Sequence, residues 1–264
     1  MDLTITLNIC RNKKGEWSQE QDLVIREVPV TLYVNEQELV TMLATPQYLD
    51  ELAVGYLLAE GFLSKACEVA SIDIDPDGNW VKVSTATETE RGWQLYGRRM
   101  LTSGCGRGSI FYQSLDALDA SVVTSDFTLR PECINALVRS MEDSSLLFQE
   151  TGGVHVGALA NEQGILLFRE DIGRHNAVDK IAGYCLLHGI NCQDKILLTS
   201  GRISSEMIIK AAKLGVPIII SPSAPTDLAV QIAHRLCLTL VGFARGNRFN
   251  IYSEAWRIRK TDKK

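Results

Sequence analysis

The sequence has few residues of the kinds that usually bind zinc, with only four histidines among 264 residues. Its seven cysteines are irregularly spaced and form no C-x-x-C or C-x-x-H pair. Zinc sites in proteins usually bring their ligands in such closely spaced pairs, so we expect no zinc here. An odd number of scattered cysteines also favours the reduced thiols of a cytoplasm over a disulfide framework.

Long apolar runs, an export signal and a basic surface are also missing. No segment approaches the roughly 20 apolar residues that span a bilayer, and the first residues lack an export signal. The net charge of −5 argues against a general binder of nucleic acid. The absence of Gly-x-Gly-x-x-Gly and Walker-type loops disfavours an ordinary nicotinamide or ATP site. We expect a cytoplasmic protein that binds neither a membrane nor nucleic acid.

The residues that are present predict a packed α/β protein, with 45% apolar and 22% charged residues. Residues 1–115 predict a smaller α+β domain that ends in the turn around Cys105. It has two hairpins, near residues 28–44 and 71–85, and a helix that begins near Pro46 and ends at Gly61. Residues 116–130 are expected to connect the two domains.

Residues 131–264 predict a larger α/β domain with the element order α-β-β-α-β-α-β-α-β. Helices alternating with strands of this length imply right-handed crossovers and a mostly parallel sheet. The predicted helices cover residues 131–148, 174–187, 204–214 and 226–237, and the predicted strands cover 154–160, 165–169, 195–199, 216–221 and 238–243.

Polar, glycine-rich loops follow four of these strands and carry four arginines, namely Arg174, Arg202, Arg245 and Arg248. Open α/β sheets bind ligands beyond the carboxyl ends of their strands. Three of the loops lead into helix N-termini, which attract anions, and arginine forks suit phosphate oxygens and flat rings. The pattern predicts a ligand that carries phosphate or resembles a dinucleotide.

Two histidines near this edge have alternative interpretations. His175 could bind phosphate or relay a proton, or it could cap its loop structurally. His155 begins an apolar strand, which suits a core residue, but the two glycines before it indicate close approach of another group. Glu206, in a first helical turn, fits a structural role beside the helix dipole.

Cys105 is the first candidate for chemistry, in Leu101-Thr-Ser-Gly-Cys-Gly-Arg-Gly-Ser109. It has no bulky neighbour, and the nearby Arg107 favours its thiolate. The other cysteines lack such a setting, and those on predicted helices behave as small apolar residues. They are Cys10, Cys67, Cys133, Cys185, Cys192 and Cys237.

Several motifs together resemble the formate dehydrogenase accessory proteins, the FdhD family of sulfur carriers. The resemblance runs from about Val28 to Tyr252, with weaker agreement at Thr45-Pro46 and Glu60-Gly61-Phe62. The most specific motifs are Thr151-Gly-Gly-Val-His155, Asp171-Ile-Gly-Arg-His-Asn-Ala-Val-Asp-Lys180, Ser200-Gly-Arg-Ile-Ser-Ser-Glu-Met207, residues 221–229 and Gly242-Phe-Ala-Arg-Gly-Asn-Arg248.

The resemblance implies a cytoplasmic homodimer whose larger domain has a cytidine-deaminase-like fold. It implies a sulfurtransferase that takes persulfide sulfur from a cysteine desulfurase. The sulfur would pass to the molybdenum cofactor, in its bis(molybdopterin guanine dinucleotide) form, before insertion into formate dehydrogenase. The family's persulfide-forming cysteine falls on Cys105.

The family's cofactor-binding stretch falls on Phe243, Ala244, Arg245, Gly246, Asn247 and Arg248. We expect Arg174, His175, Gly201, Arg202, Ser221 and Ser223, from the neighbouring loops, to complete that site. Zinc deamination is disfavoured, because that chemistry needs H-x-E and P-C-x-x-C. Here Val156 and Gly157 follow His155, and no P-C-x-x-C occurs.

The Cys105 turn departs from the family pattern C-G-x-C, because Gly108 stands where the second cysteine is expected. Cys105 could work alone, which we favour because a persulfide needs only one attacking thiolate. A distant cysteine such as Cys67 could fold near it instead. The chain could also be a chaperone that binds and delivers the cofactor without sulfur transfer, or a nucleotide-responsive regulator that uses the same pocket.

Overall fold

The computed structural model describes residues 2–86, 92–94 and 122–259. Three residues of the predicted turn therefore lie outside the described residues: Cys105, Arg107 and Gly108. The predicted start of the connecting segment, at residue 116, also lies outside them. The described strands are β1 (Thr4–Lys13), β2 (Glu16–Ile25), β3 (Val28–Val34), β4 (Gln37–Ala44), β5 (Val69–Ile74), β6 (Trp80–Thr85), β7 (His155–Asn161), β8 (Gly164–Asp171), β9 (Ile196–Thr199), β10 (Ile218–Ile220), β11 (Thr239–Arg245) and β12 (Arg248–Ser253).

The longer helices are α1 (Leu49–Glu60), α2 (Pro131–Asp143), α3 (Leu146–Thr151), α4 (Arg174–Leu187), α5 (Ser205–Leu214) and α6 (Asp227–Arg235). None of the described helices is both long and apolar enough to cross a membrane. The helix predicted over residues 131–148 is divided in two, because the chain turns at Ser144 and Ser145 between α2 and α3.

The N-terminal part contains two sheets. Strands β1 and β2 form a long antiparallel ribbon, and a separate sheet has the order β4-β3-β6-β5. Helix α1 packs on this second sheet, where Leu52, Val54 and Leu57 join Leu32 and Val34 in one apolar cluster. The predicted hairpins near residues 28–44 and 71–85 are confirmed.

The C-terminal part contains a six-stranded sheet with the order β12-β11-β10-β9-β7-β8. The prediction of a mostly parallel sheet is wrong, since β10 is parallel to β9 and β11 while the other three pairings are antiparallel. The physical reason is that β7–β8 and β11–β12 are joined by two-residue turns, which can only connect antiparallel strands. The fold is therefore mixed α/β. The finer expectation of a cytidine-deaminase-like arrangement stays a prediction.

Helices cover both faces of this sheet and form a three-layer arrangement. Alternating strand residues show it: Leu197 and Ile219 pack toward α4, α5 and α6, whereas Leu198 and Ile220 pack toward α2. This alternation is what a sheet buried on both faces requires. Strands β9 and β10 thus lie between two helical layers.

Helices α1 and α4 cross closely and join the two parts of the chain. A Cβ on Gly55 would lie 1.8 Å from the carbonyl oxygen of Asp179, and one on Gly183 would lie 1.8 Å from that of Glu51. No side chain fits at such separations, so these glycines allow the two backbones to touch. The predicted division of the chain into domains, at residues 115 and 131, stays a prediction.

Candidate functional site

The carboxyl ends of β8, β9, β10 and β11 lie at one edge of the six-stranded sheet, which we call the carboxyl edge. Strands β9, β10 and β11 are parallel, and β8 shares their direction because β7 is antiparallel to both β8 and β9. Strand β7 starts at the same edge, with His155 paired to Asp171 and Gly157 paired to Thr199. The predicted convergence of the four polar loops on one edge is therefore confirmed.

A cavity of about 570 Å³ opens at this edge, between the strand ends and the α2–α3 corner. Most of its wall is apolar, with a few polar groups among them, as in typical small-molecule sites. Its lining includes Met141, Glu142, Ser145, Phe148, Gln149, Val154, His155, Ile172, Ser200 and Pro222. Phe148 is exposed, so an aromatic face borders the cavity mouth.

His155 lines this cavity and is fixed by the loop after β9. Its Nδ1 lies 3.2 Å from the hydroxyl of Ser200, and that hydroxyl also accepts the amide proton of Val156 at 2.9 Å. Burial lowers the pKa of His155; Arg174 adds to the shift and Asp171 opposes it. The ring is thus neutral at pH 7, and it presents a hydrogen-bonding group to the cavity rather than a charge.

Arg174 lies across the start of the β9 loop. A Cβ on Gly201 would approach the Arg174 Cδ to 2.8 Å, so the glycine makes room for the aliphatic part of the arginine. Arg174 also lowers the pKa of both His155 and His175, which places its charge close to both rings. The structure therefore places Arg174 against Gly201 and near both histidines; of the two interpretations left open for His155, it favours the one in which His155 lines the site.

His175 sits in the first turn of α4 and links it to the first turn of α5. Its Nε2 lies 3.2 Å from Oε2 of Glu206 and 3.4 Å from the hydroxyl of Ser204. Burial lowers the pKa of His175 to about 4, although the Glu206 carboxylate opposes that shift. The ring is neutral at pH 7, so this geometry favours the structural alternative over a cationic phosphate ligand.

Ser221 and the neighbouring backbone tie the β9, β10 and β11 loops together. The buried hydroxyl of Ser221 donates to the carbonyl oxygen of Gly201 at 2.8 Å and accepts the amide proton of Ser223 at 2.9 Å. The amides of Phe243 and Ala244 donate to the carbonyl oxygens of Ser223 and Ser221, at 3.0 and 3.1 Å. These residues shape the carboxyl edge through their backbone.

Residues 245–248 form the tip of the β11–β12 hairpin, with Gly246 and Asn247 in the turn. Arg139 of α2 holds this tip, since its Nη2 donates to the Gly246 carbonyl at 3.3 Å and to Asn247 Oδ1 at 3.1 Å. The predicted cofactor-binding stretch thus spans a strand end and an exposed turn. Arg202, Arg245 and Arg248 are exposed at this edge.

Two of the three helices that start at this edge lack a side-chain cap. The N-cap residue of α4 is Gly173, which has no side chain. Ser204 is the N-cap residue of α5, although its side chain accepts no hydrogen bond from the helix. At α6, by contrast, the Thr226 hydroxyl accepts a hydrogen bond from the Ala229 amide. Uncapped first-turn amides favour an anion.

A buried ion pair supports the edge from behind. Lys180 Nζ lies 2.6 Å from Oδ2 of Asp171, and neither side chain is exposed. Thr45 joins the pair, since its hydroxyl accepts from Lys180 at 2.7 Å and donates to Asp171 at 2.9 Å. Asp171 also accepts from the amide of Gly173 at 2.9 Å, and so this network sets the loop before α4.

Among residues 2–86, 92–94 and 122–259, no three His, Cys, Asp or Glu side chains cluster as metal ligands would. Cys67, the alternative second thiol, is exposed just before β5. Its relation to Cys105 lies outside the described residues.

Comparison with known proteins assigns the chain to a family. The model of the FdhD/NarQ family matches residues 25–259. The chain belongs to the FdhD/NarQ family. A curated relative from Bacillus subtilis, named sulfur carrier protein FdhD, is 41% identical over 98% of both chains. Another of that name, from Halalkalibacterium halodurans, is 45% identical over 90% of this chain and 89% of the relative.

A solved structure has the same fold as this FdhD/NarQ chain. It is the crystal structure of a protein assigned as a formate dehydrogenase accessory protein from Desulfotalea psychrophila. The two superpose with a TM-score of 0.81 at 28% identity, over 98% of this chain and all of the other. The expected family is therefore confirmed, and the mixed α/β fold is common to both proteins.

Sequence reasoning missed the α2–α3 wall of the cavity. The prediction of one continuous helix over residues 131–148 places Ser145 and Phe148 inside it and gives no corner facing the strand ends. A usable signal was present: Gly152 adopts φ +65° after α3, and the Gly152-Gly153 pair allows the chain to turn into β7 beside the cavity. Thr45, Asp171 and Lys180 belong to the family motifs, but their sequence positions do not show that they form one hydrogen-bonded network.

Proposed function

We propose that this chain is a sulfur carrier for formate dehydrogenase maturation. In this proposal Cys105 takes persulfide sulfur from a cysteine desulfurase and passes it to the molybdenum cofactor, in the bis(molybdopterin guanine dinucleotide) form. The observation that carries the proposal is the similarity, over nearly the whole chain, to relatives named sulfur carrier protein FdhD. We also infer a cytoplasmic homodimer, as expected from the resemblance to this family.

The loading step needs one accessible thiolate. The Cys105 thiolate attacks the outer sulfur of the desulfurase persulfide, the sulfur–sulfur bond breaks, and the desulfurase thiolate leaves. The new persulfide on Cys105 then holds the transferred sulfur as its outer atom and carries it to the cofactor. Because one thiolate is sufficient, Gly108 in place of a second cysteine is compatible with this sequence of steps.

The carboxyl edge supports the cofactor part of the proposal. A bis-dinucleotide carries diphosphates, which suit the uncapped first turns of α4 and α5 together with exposed Arg202, Arg245 and Arg248. Its flat rings suit the apolar cavity of about 570 Å³, where the exposed Phe148 offers a stacking face. Neutral His155 and Ser200 supply hydrogen-bonding groups on the cavity wall.

Formate dehydrogenase activity in a host that lacks its own accessory protein tests the proposal. We expect wild-type chain to restore activity, Cys105→Ala to abolish it, and Arg248→Ala to reduce it. Cys10→Ala, an exposed cysteine on the β1–β2 ribbon, is the matched control and should restore activity fully. Cys67→Ala separates the two thiol alternatives, because loss of activity there would indicate a second sulfur-carrying cysteine.

The chaperone alternative makes the opposite prediction for the thiol. Because Gly108 removes one of the two usual cysteines, a delivery protein without sulfur chemistry would tolerate Cys105→Ala but not Arg248→Ala. Full activity of Cys105→Ala would therefore overturn the sulfur-carrier proposal and leave cofactor delivery.

A further inference from the structure

Helix α4 ends in a turn that folds the chain back over its last residues. Gly189, at φ +61°, donates its amide proton to the Leu186 carbonyl at 3.2 Å, and the Ile190 amide donates to the Cys185 carbonyl at 2.9 Å. This pair of hydrogen bonds is the Schellman motif, in which a residue after the helix packs back on its final turn. The reversal brings the loop that contains Cys192 back to the turn that contains Cys185.

Cys185 and Cys192 meet in the apolar layer between the sheet and helices α4 to α6. Both are free thiols, 2% and 3% exposed, and both belong to the same buried cluster. The Cys192 Sγ lies 3.5 Å from the carbonyl oxygen of Ile190, and the Ile190 amide is itself bonded to the Cys185 carbonyl, so the two cysteines are neighbours on the folded-back turn. Two buried thiols on one folded-back turn are suitable partners for a disulfide, which needs Cα atoms no more than about 7 Å apart.

The two thiols differ in their electrostatics. Their mutual hydrogen bond lowers the pKa of Cys192, burial opposes that shift, and Lys195 adds to it. The same hydrogen bond, together with burial, raises the pKa of Cys185. These directions agree with the position of Cys192 in a loop whose other residues are exposed, so we assign the first step to Cys192 and the second to Cys185.

A small reagent has a short route to Cys192. Its chain neighbours Asn191, Gln193 and Asp194 are all exposed, so Cys192 is the inward-facing member of a surface loop. Opening such a loop requires only local unfolding, which costs far less than unfolding the domain.

We propose that Cys185 and Cys192 form a reversible disulfide when the protein meets a peroxide. The Cys192 thiolate attacks one peroxide oxygen, the oxygen–oxygen bond breaks, and a sulfenic acid and water result. The Cys185 sulfur attacks the sulfenic sulfur, the sulfur–sulfur bond forms, and the second water leaves. The two thiols lose two protons and two electrons, and hydrogen peroxide is reduced to two waters. This site is independent of sulfur carriage at Cys105.

Peptide mass spectrometry tests the proposal directly, because cleavage after Lys180 and Lys195 gives one peptide, residues 181–195, that holds both cysteines. The native full chain is treated with hydrogen peroxide, then unfolded in iodoacetamide and digested with trypsin. We expect the peptide to be two hydrogen atoms lighter and unalkylated, and dithiothreitol treatment before alkylation should restore two alkylation sites. A peptide that stays doubly alkylated after peroxide treatment would overturn the proposal.

Single substitutions identify the roles of the two sulfurs. With Cys185→Ser, Cys192 should pass through the sulfenic acid to the sulfinic acid, because the resolving thiol is gone. With Cys192→Ser, Cys185 should remain alkylatable. Cys237→Ser is the matched control and should leave the disulfide yield unchanged. Sulfinic acid at Cys192 in the wild-type chain, with Cys185 still alkylatable, would contradict the resolving role.

Discussion

The cations behind the carboxyl edge and the cations on it are held in opposite ways. Behind the edge, Lys180 is fully buried against Asp171, and Arg169 forms a two-pronged ion pair with Glu51 at 2.5 and 2.6 Å. On the edge, Arg202, Arg245 and Arg248 are exposed. A buried charge must be paired to be tolerated, whereas an exposed one keeps its hydrogen-bonding groups for a ligand. The first set therefore stabilises the scaffold, and the second set is suited to binding.

Lys180→Met should give the largest effect, on stability. The substitution leaves the Asp171 carboxylate buried without its cation, and removing one partner of a buried pair costs about 3–5 kcal/mol. The free energy of unfolding from urea titration measures it. Lys82→Met is the matched control, because Lys82 pairs with Glu36 at the surface and should unfold like wild type. Equal losses in both variants would erase the distinction between the two sets.

The pH dependence of stability should report His175. Burial lowers its folded-state pKa from 6.5 to about 4, so the unfolded chain takes up the proton first as the pH falls. This group therefore removes stability between about pH 6.5 and pH 4, by as much as about 3 kcal/mol at 1.36 kcal/mol per unit. His175→Gln should lose that dependence, which unfolding titrations across this range would measure.

Asp179 should act in the opposite direction over nearly the same range. Burial raises the pKa of Asp179 from 3.8 to about 6, although the nearby Lys210 lowers it. Between these two pH values the folded chain therefore holds a proton that the unfolded chain releases. That contribution favours the folded state as the pH falls toward 4, and it masks part of the His175 effect in the wild type. His234→Gln, at an exposed position on α6, is the control. Parallel pH profiles for wild type and His175→Gln would contradict the account.

Ser221→Ala should give a smaller loss of stability. It leaves the Gly201 carbonyl and the Ser223 amide without the hydroxyl between them, which costs about 2 kcal/mol for buried groups. Thermal unfolding should show a lowered Tm. Ser18→Ala removes an exposed hydroxyl on the ribbon and should change the Tm little. A wild-type Tm for Ser221→Ala would mean that its hydroxyl does not hold the loops together.

Arg248→Ala should leave stability unchanged and weaken ligand binding. Loss of one charge-assisted hydrogen bond corresponds to about a tenfold increase in Kd for guanosine diphosphate, used as a probe of the dinucleotide. Calorimetry at low salt would measure it, with Arg11→Ala on the ribbon as the control. Unchanged affinity would remove the hairpin tip from the proposed site.

The fold was predictable where one element has a clear pattern. Helix α4 was predicted at its observed limits, 174–187, because the Gly173 loop and Gly189 define both ends. The β1–β2 ribbon is not predicted, although Ile5, Leu7 and Ile9 alternate with polar residues in β1, because β2 has no matching alternation and both faces are largely exposed. Strand β12 is not predicted, although Gly246-Asn247 is a typical two-residue hairpin turn, because the polar residues 245–248 also fit a ligand-binding loop.

The candidate site was predictable at the level of the sheet edge and not at the level of contacts. Glycines, arginines and helix starts after each strand indicated where the loops converge. The partners of His175 and Ser221 depend on which loops become neighbours, and the strand order β10-β9-β7-β8 decides that. Positions along the sequence do not reveal such contacts. Lys180 and Thr45, for example, are hydrogen-bonded although they are 135 positions apart.

Sulfur loading on Cys105 is the most direct test of the account. Purified chain is incubated with a cysteine desulfurase and cysteine, and its intact mass is measured before and after thiol reduction. We expect the mass of one added sulfur atom that reduction removes, and no added sulfur on Cys105→Ala. Loading that persists in Cys105→Ala, or a wild-type chain that gains no sulfur, would contradict the assignment of this chain as a sulfur carrier acting through Cys105.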